Sequence, residues 1–274
     1  MGTVGDMRNL RFLVEYDGTE FSGWQVQPGL RTVQGTLEDA LGVVLNEPVR
    51  VRGAGRTDAG CHARGQVANT RTGSAAPCDR VLRSLASLLP QDVAVHEVRE
   101  AALDFDARRG AVERRYEYRL LLQPSPLLRR HAWYPGFRPD RRVLEDAVAP
   151  LVGEHDFRGF AGSDPSRRGD HGRCRVHAVA WDEWEGGLVF RITANRFLYH
   201  MVRNIVGTAV KIARGGLTRD RSRLALESGD RRLAGPTAPP AGVCLVGVSY
   251  APQAEPPVGE HADWPGAGIA GVAP

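Results

Sequence analysis

Lysine is almost missing from this chain: of its 36 basic residues 35 are arginine, and Lys211 is the single lysine. Cysteine is scarce as well. Cys61, Cys78, Cys174 and Cys244 lie 17, 96 and 70 residues apart, which is neither a disulfide framework nor a pair of CxxC metal knuckles. A reduced, cytoplasmic setting is the expectation. No apolar run approaches the roughly 20 residues that a membrane span needs. Met1 to Leu10 also lacks the charged start and apolar stretch of a secretory signal, so neither a membrane nor an export role is expected. Finally, no lysine or arginine occurs in the last 24 positions, which hold Glu255, Glu260 and Asp263.

What is present is arginine. The 274 residues carry a net charge of +4, but residues 1–250 alone hold 36 basic against 29 acidic side chains, or +7. Arginine forks suit phosphates and flat bases, which raises nucleic acid as a partner. A wholesale exchange of lysine for arginine by biased genomic composition produces the same count, and composition alone does not separate the two.

The chain reads as two similar α+β halves. Leu10, Phe12, Val14 and Tyr16 alternate as a half-buried strand. Val33, Leu37, Ala40, Leu41, Val44 and Leu45 recur at helical spacing behind Thr32, a plausible N-cap. Strands are expected near 48–53, 65–71 and 93–99, with a helix near 79–89. That order, β-α-β-β-α-β, is the split βαβ of ferredoxin-like folds. In the second half, Tyr116, Tyr118, Leu120 and Leu122 alternate on a strand. Val143, Leu144, Ala147, Val148, Leu151 and Val152 form a helical stripe, followed by strands near 175–184 and 187–194. Leu198, Met201, Val202, Ile205, Val206, Ala209 and Val210 mark a further helix. A short helix near 219–228 and a strand at 243–250 close the pattern. The expected division is a disordered 1–7, an N-terminal domain over 8–105, a C-terminal domain over 106–250, and a disordered Pro/Gly-rich acidic tail over 251–274.

The densest segment runs from Gly53 to Val67, G-A-G-R-T-D-A-G-C-H-A-R-G-Q-V. Its glycines let the backbone turn sharply between two strands and present Arg56 and Asp58 at the sheet edge. Loops held on a rigid scaffold often carry catalytic groups, and such a loop also occurs as a plain solvated turn. No Gly-Lys-Ser/Thr follows, so it is not a Walker loop.

Four blocks together are more specific. Glu15-Tyr16-Asp17-Gly18 with Gly23-Trp24-Gln25 opens the set, and Ala54-Gly55-Arg56-Thr57-Asp58-Ala59-Gly60-x-His62 follows. Asp104-Phe105-x-Ala107-Arg108 with Arg115-Tyr116-x-Tyr118 is the third. Ala194-Asn195-x-Phe197-x-x-x-Met201-Val202-Arg203-Asn204-Ile205-Val206-Gly207 is the last. In this order, over roughly residues 8–250, the chain resembles the bacterial tRNA pseudouridine synthases of the A family. The resemblance implies the pseudouridine synthase fold, two ferredoxin-like or RRM-like halves on a mainly antiparallel sheet. It implies an isomerase converting uridine to pseudouridine at positions 38, 39 and 40 of the tRNA anticodon stem-loop, acting as a homodimer in which one tRNA touches both subunits. Asp58 matches the family's essential aspartate, and Tyr116 the tyrosine that stacks on the target base and handles its proton. Arg203 matches the buried arginine that pairs with the aspartate, and Arg56 the basic residue that opens the RNA and holds the extruded nucleotide.

Elementary chemistry agrees. The reaction breaks the uracil N1–C1′ bond, turns the base and rejoins it through C5 with loss of the C5 proton. It is redox-neutral, so no metal or organic cofactor is expected. An arginine beside Asp58 supplies a counter-charge, and Tyr116 supplies a flat face and an exchangeable proton. Read without the resemblance, Tyr116 and Tyr118 share a strand face and suit a core, Arg203 suits a helix flank, and Phe21 and Trp24 suit packing. The Arg108-Arg109 and Arg114-Arg115 pairs flank the tyrosine strand and are candidate phosphate contacts. His171-x-x-Cys174-x-x-His177 has ligand-like spacing but lacks a fourth ligand, and reads as a basic RNA-facing loop leading into a strand. Two departures stand out. Val243 occupies the place where the family commonly has leucine against the tyrosine, and the usual threonine-containing approach looks replaced around Arg173.

Overall fold

A computed structural model describes residues 7–162 and 172–251. The expected disorder of 1–7 and 251–274 falls outside these residues, apart from Met7 and Ala251 at the boundaries. In the first half, β1 (Arg8–Tyr16) leads to α1 (Val33–Leu45), the two-residue β2 (Arg52–Gly53) and β3 (His62–Thr72), then α2 (Cys78–Leu88) and β4 (Val93–Ala101). In the second, β5 (Ala111–Leu121) leads to α3 (Arg141–Val148) and β6 (Gly153–Asp156). The long hairpin of β7 (Arg173–Trp184) and β8 (Gly187–Ala194) follows, then α4 (Met201–Ala213), α5 (Arg221–Ser228) and β9 (Val243–Tyr250).

The strands form one sheet in the order β4-β1-β3-β9-β5-β8-β7-β6, with β2 paired to β3. Neighbours are antiparallel except β3 and β9, which join the halves through a short parallel pairing of His62 with Cys244 and Ala63 with Leu245. The mixed α/β architecture with a mainly antiparallel sheet is the one expected. One large core packs alternate residues of the sheet, such as Leu10, Phe12, Tyr118, Leu120 and Phe190, against all five helices. Odd-numbered β1 residues point the other way, where Leu13 joins Ala54, Val67, Phe105 and Ala107 in a small second cluster. Asn9 Nδ2 donates to the Ala102 and Phe105 carbonyls, and the Ala107 N–H donates to Asn69 Oδ1. These bonds strap segment 102–107 across the back of the sheet and aim Arg108 and Arg109 at its edge.

Local sequence accounts for most elements. The Thr32 side chain accepts from the Gly35 N–H and caps α1, as a β-region hydroxyl residue should. The strand expected over 48–53 shrinks to two residues because Pro48 offers no N–H and Glu38 takes the Val51 N–H instead. The helix expected to reach Val152 ends at Val148 and continues as a 3-10 turn, Ala149–Leu151, around Pro150. The helix expected from Leu198 begins at Met201, because His200 sits in the left-handed region at φ 61. Strand β6, Gly-Glu-His-Asp, has no apolar alternation to announce it.

Candidate active site

The loop between β2 and β3 is held from three sides. Gln66 clasps Gly55, accepting its N–H at 3.2 Å and donating to its carbonyl at 2.6 Å. The buried Tyr16 hydroxyl bonds Thr57 Oγ1 at 2.8 Å. The Trp24 N–H donates to the Thr57 carbonyl at 3.0 Å. Gly23, at φ 90, must be glycine here, since a Cβ would lie 2.8 Å from the Thr57 carbonyl oxygen. Phe21 and Trp24 are buried beneath the loop, so the opening sequence block is the loop's foundation.

Asp58 emerges from this support with its side chain 21% exposed. Its Oδ2 lies 3.2 Å from Arg203 Nη1, which reaches down from the first turn of α4, and 3.4 Å from His200 Nε2. Arg203 is itself braced: its Nε donates to the Ala238 carbonyl at 2.8 Å, and its own carbonyl accepts the Ala238 N–H. A carboxylate at this helix end also meets the positive end of the peptide dipole.

Tyr116 stands on β5, edge-on to Phe197 with ring centroids 4.8 Å apart. Burial pushes its phenol well above the ordinary value and the charge of Asp58 pushes the same way, so the ring carries its proton near neutrality. Tyr118, on the same face, donates its hydroxyl to the Pro239 carbonyl at 2.8 Å and is fully buried. The two tyrosines that were alike in sequence are thus a cleft residue and a core residue.

Asp58, Arg203, Tyr116, Arg56, Arg108 and Val243 all line one cleft of about 1680 Å³. Arg115 does not. It falls on the opposite face of β5, where its guanidinium packs over Gly247. In the strand register Val243 opposes Tyr118, whereas Leu245 opposes Tyr116.

One cleft residue escaped the sequence reading: His200 sat in an unassigned position of the last block, where Phe197 was named but given no role. Arg114 was one of a pair with no sign of which faced inward; strand alternation with Tyr116 is the signal that could have chosen it. Its guanidinium donates to the Ala54, Arg108, Ala111 and Asn195 carbonyls, knotting three loops at the cleft wall.

Two ligand-like groups lie elsewhere. His171 of the His-Cys-His segment is outside the described residues, Cys174 is buried and His177 is exposed. Ligand atoms of Asp17, His62 and His131 gather within 4.8 Å. The His62 Nδ1 accepts the Gly18 N–H at 3.1 Å and its Nε2 faces the Ala241 carbonyl at 3.2 Å. Both ring nitrogens are therefore engaged by backbone, and burial holds this imidazole below its ordinary pKa. The trio clamps the start of β3 to the turns before β9 and around residue 131.

Comparison with known proteins places this geometry in context. A family model described as tRNA pseudouridine synthase matches residues 12–108 and 147–251. A protein of Chlorobium limicola named tRNA pseudouridine synthase A is 42% identical over 89% of this chain and all of its own length. One from Caldicellulosiruptor bescii with the same name is 40% identical over 89% of this chain and its own full length. A third, from a Roseiflexus species, is 43% identical over 89% and 91% of the two chains.

Proposed function

This chain belongs to the tRNA pseudouridine synthase family, and from that premise we propose that it isomerises uridines 38, 39 and 40 in the anticodon stem-loop of tRNA. The observation that carries the reading is the Asp58–Arg203 pair at 3.2 Å, set in a cleft whose wall includes Tyr116.

The target nucleotide must leave its stack to be reached, because the glycosidic bond is inaccessible inside a paired stem. A cleft of about 1680 Å³ has room for a nucleotide and its flanking phosphates. Arg56, exposed on the catalytic loop, fills the gap left in the RNA and holds the extruded nucleotide, while Arg108 meets backbone phosphate. Tyr116 stacks on the uracil. Asp58, positioned by Arg203, acts on the sugar or base as the N1–C1′ bond breaks. The base turns in place, C5 bonds C1′, and the proton displaced from C5 leaves while N1 gains one. The protonated phenol of Tyr116 is suited to hand over and receive a proton in that exchange. Arg115, whose guanidinium packs over Gly247 on the other face of β5, takes no part in the phosphate contact.

Residues 8–105 and 106–250 serve in this proposal as two halves that each supply one wall of the cleft, Asp58 from the first and Tyr116 with Arg203 from the second. The family relation supports a homodimer in which one tRNA touches both subunits. A reduced cytoplasmic setting is consistent with four cysteines that form no disulfide among the described residues and with tRNA as substrate. Among the described residues no helix is long and apolar enough to cross a membrane.

The test uses anticodon stem-loops carrying one uridine each at position 38, 39 or 40, labelled with tritium at C5. Tritium release and a carbodiimide-dependent reverse-transcription stop at that position are expected for each. Release from none of the three, with binding retained, overturns the reading.

A further inference from the structure

His200 breaks two local preferences at once. It is one of two non-glycine residues with positive φ among the described residues, at φ 61 and ψ 4. It occupies the N-cap of α4, yet its side chain makes no capping hydrogen bond, where Ser, Thr, Asp or Asn would do so. Its imidazole is only partly exposed, stacked on Tyr199 with centroids 3.7 Å apart and an interplanar angle of 26°. With the backbone in this left-handed turn the ring faces Asp58, where Nε2 comes 3.4 Å from Oδ2. Strain that is tolerated only where it directs a side chain into a cleft points to a role for that side chain.

The approach is to the same oxygen that Arg203 holds. Oδ2 is contacted by Arg203 Nη1 at 3.2 Å and His200 Nε2 at 3.4 Å, while Oδ1 takes no hydrogen bond from the described residues. A carboxylate turns easily about its last torsion, whose wells are broad and two-fold. One donor leaves open which oxygen faces the substrate; two donors from two sides of one oxygen settle it. We propose that His200, as a neutral imidazole donating from Nε2, is a positioning residue that fixes the carboxylate plane of Asp58 and so leaves Oδ1 as the oxygen that acts on the nucleotide. His200 takes up and releases no proton in the reaction. Its 3.4 Å contact is long for a hydrogen bond, as such contacts often are before the substrate closes the site.

Neutrality matters, because an imidazolium would hold Asp58 as an ion pair and blunt the oxygen it presents. Among the described residues the charged groups acting on the ring are Asp58, Arg203 and Arg231, and the backbone of Gly162 packs against Nδ1. Burial holds its pKa below the ordinary value; Asp58 opposes this and the two arginines reinforce it. The neutral ring therefore prevails at neutral pH; on the acid side it gains a proton and becomes an imidazolium, which still donates from Nε2 but faces Asp58 as a second cation.

This inference rests on Asp58 being the reacting carboxylate, so the experiment carries Asp58→Asn alongside. Single-turnover tritium release from C5-labelled tRNA is measured from about pH 5 to 8.5, with tRNA affinity by filter binding. His200→Gly removes the imidazole and relieves the backbone at positive φ; His200→Gln keeps a donor near the Nε2 position. His200→Gly should release tritium roughly 10- to 100-fold more slowly, the loss of one bond to a charged group, with tRNA affinity unchanged within about threefold. His200→Gln should recover most of the rate and lose the acid-side fall of the parent. A wild-type rate in His200→Gly, no recovery in His200→Gln, or an acid limb that persists in His200→Gln each overturns the proposal. If Asp58→Asn itself releases tritium at the parent rate, the reading of Asp58 fails first, and that result is distinct from all three.

Discussion

The pair between Asp58 and Arg203 can be weighed by a double-mutant cycle of Asp58→Asn, Arg203→Gln and the two combined. Both side chains are mostly shielded, at 21% and 15% exposure. At 3.2 Å and an effective dielectric of about 20, the bare attraction is on the order of 5 kcal/mol, and the cost of desolvating the two ions takes back most of it. What remains should resemble a hydrogen bond to a charged group, about 1.5–3 kcal/mol. Arg203→Gln also drops the Nε bond to the Ala238 carbonyl, worth about 1 kcal/mol, but that loss occurs in both proteins lacking Arg203 and cancels in the cycle. Urea unfolding of the four proteins at pH 7.5 should give a coupling of about 2 kcal/mol, little altered by raising salt to about 0.5 M because the pair is shielded. A coupling below about 0.5 kcal/mol, the ordinary value for an exposed pair, would refute the claim that Arg203 electrostatically anchors the carboxylate.

Gly55→Ala places a Cβ 3.2 Å from the Tyr116 hydroxyl and 3.6 Å from Leu245 Cδ2, so the tyrosine must shift by a few tenths of an ångström. The protein should fold, with kcat down on the order of 10-fold and KM nearly unchanged. Tyr118→Phe leaves the Pro239 carbonyl without its donor and should cost about 1 kcal/mol by urea unfolding, with turnover preserved. Tyr116→Phe should show the reverse, stable but slowed at least about 100-fold in tritium release. Arg108→Ala should weaken tRNA binding and lower the slope of log affinity against log salt by about 1. Arg115→Ala, on the other face, should leave that slope unchanged.

Where the sequence was legible, one face of a local element carried the information. The alternation of Leu10, Phe12, Val14 and Tyr16 and the stripe from Val33 to Leu45 behind Thr32 needed nothing beyond period and cap. Asp58, Tyr116 and Arg203 were legible only through the family resemblance of the motif blocks, since read bare they suit a solvated turn, a core and a helix flank. Several features were hidden for physical reasons. β9 inserts between β3 and β5 through a parallel pairing of His62 with Cys244, far apart in the chain, and no local pattern encodes so distant a partner. Strand alternation decides that Arg114 and Arg115 face opposite ways, but only the position of the cleft says which face matters. His200 was invisible because its importance comes from a backbone conformation, and an imidazole before an apolar helix reads as an ordinary N-terminal residue. Phe105 likewise read as part of a motif; its work is to cover the back of the sheet with Leu13 and Val67.

The central claim is that Asp58 acts on a uridine of tRNA inside this cleft. Its most direct test is single-turnover tritium release from C5-labelled tRNA by the parent protein and by Asp58→Asn, with tRNA affinity measured for both. The parent should release the label. Asp58→Asn should bind within about threefold of the parent and release at least about 1,000-fold more slowly. Release by Asp58→Asn at the parent rate would contradict the account.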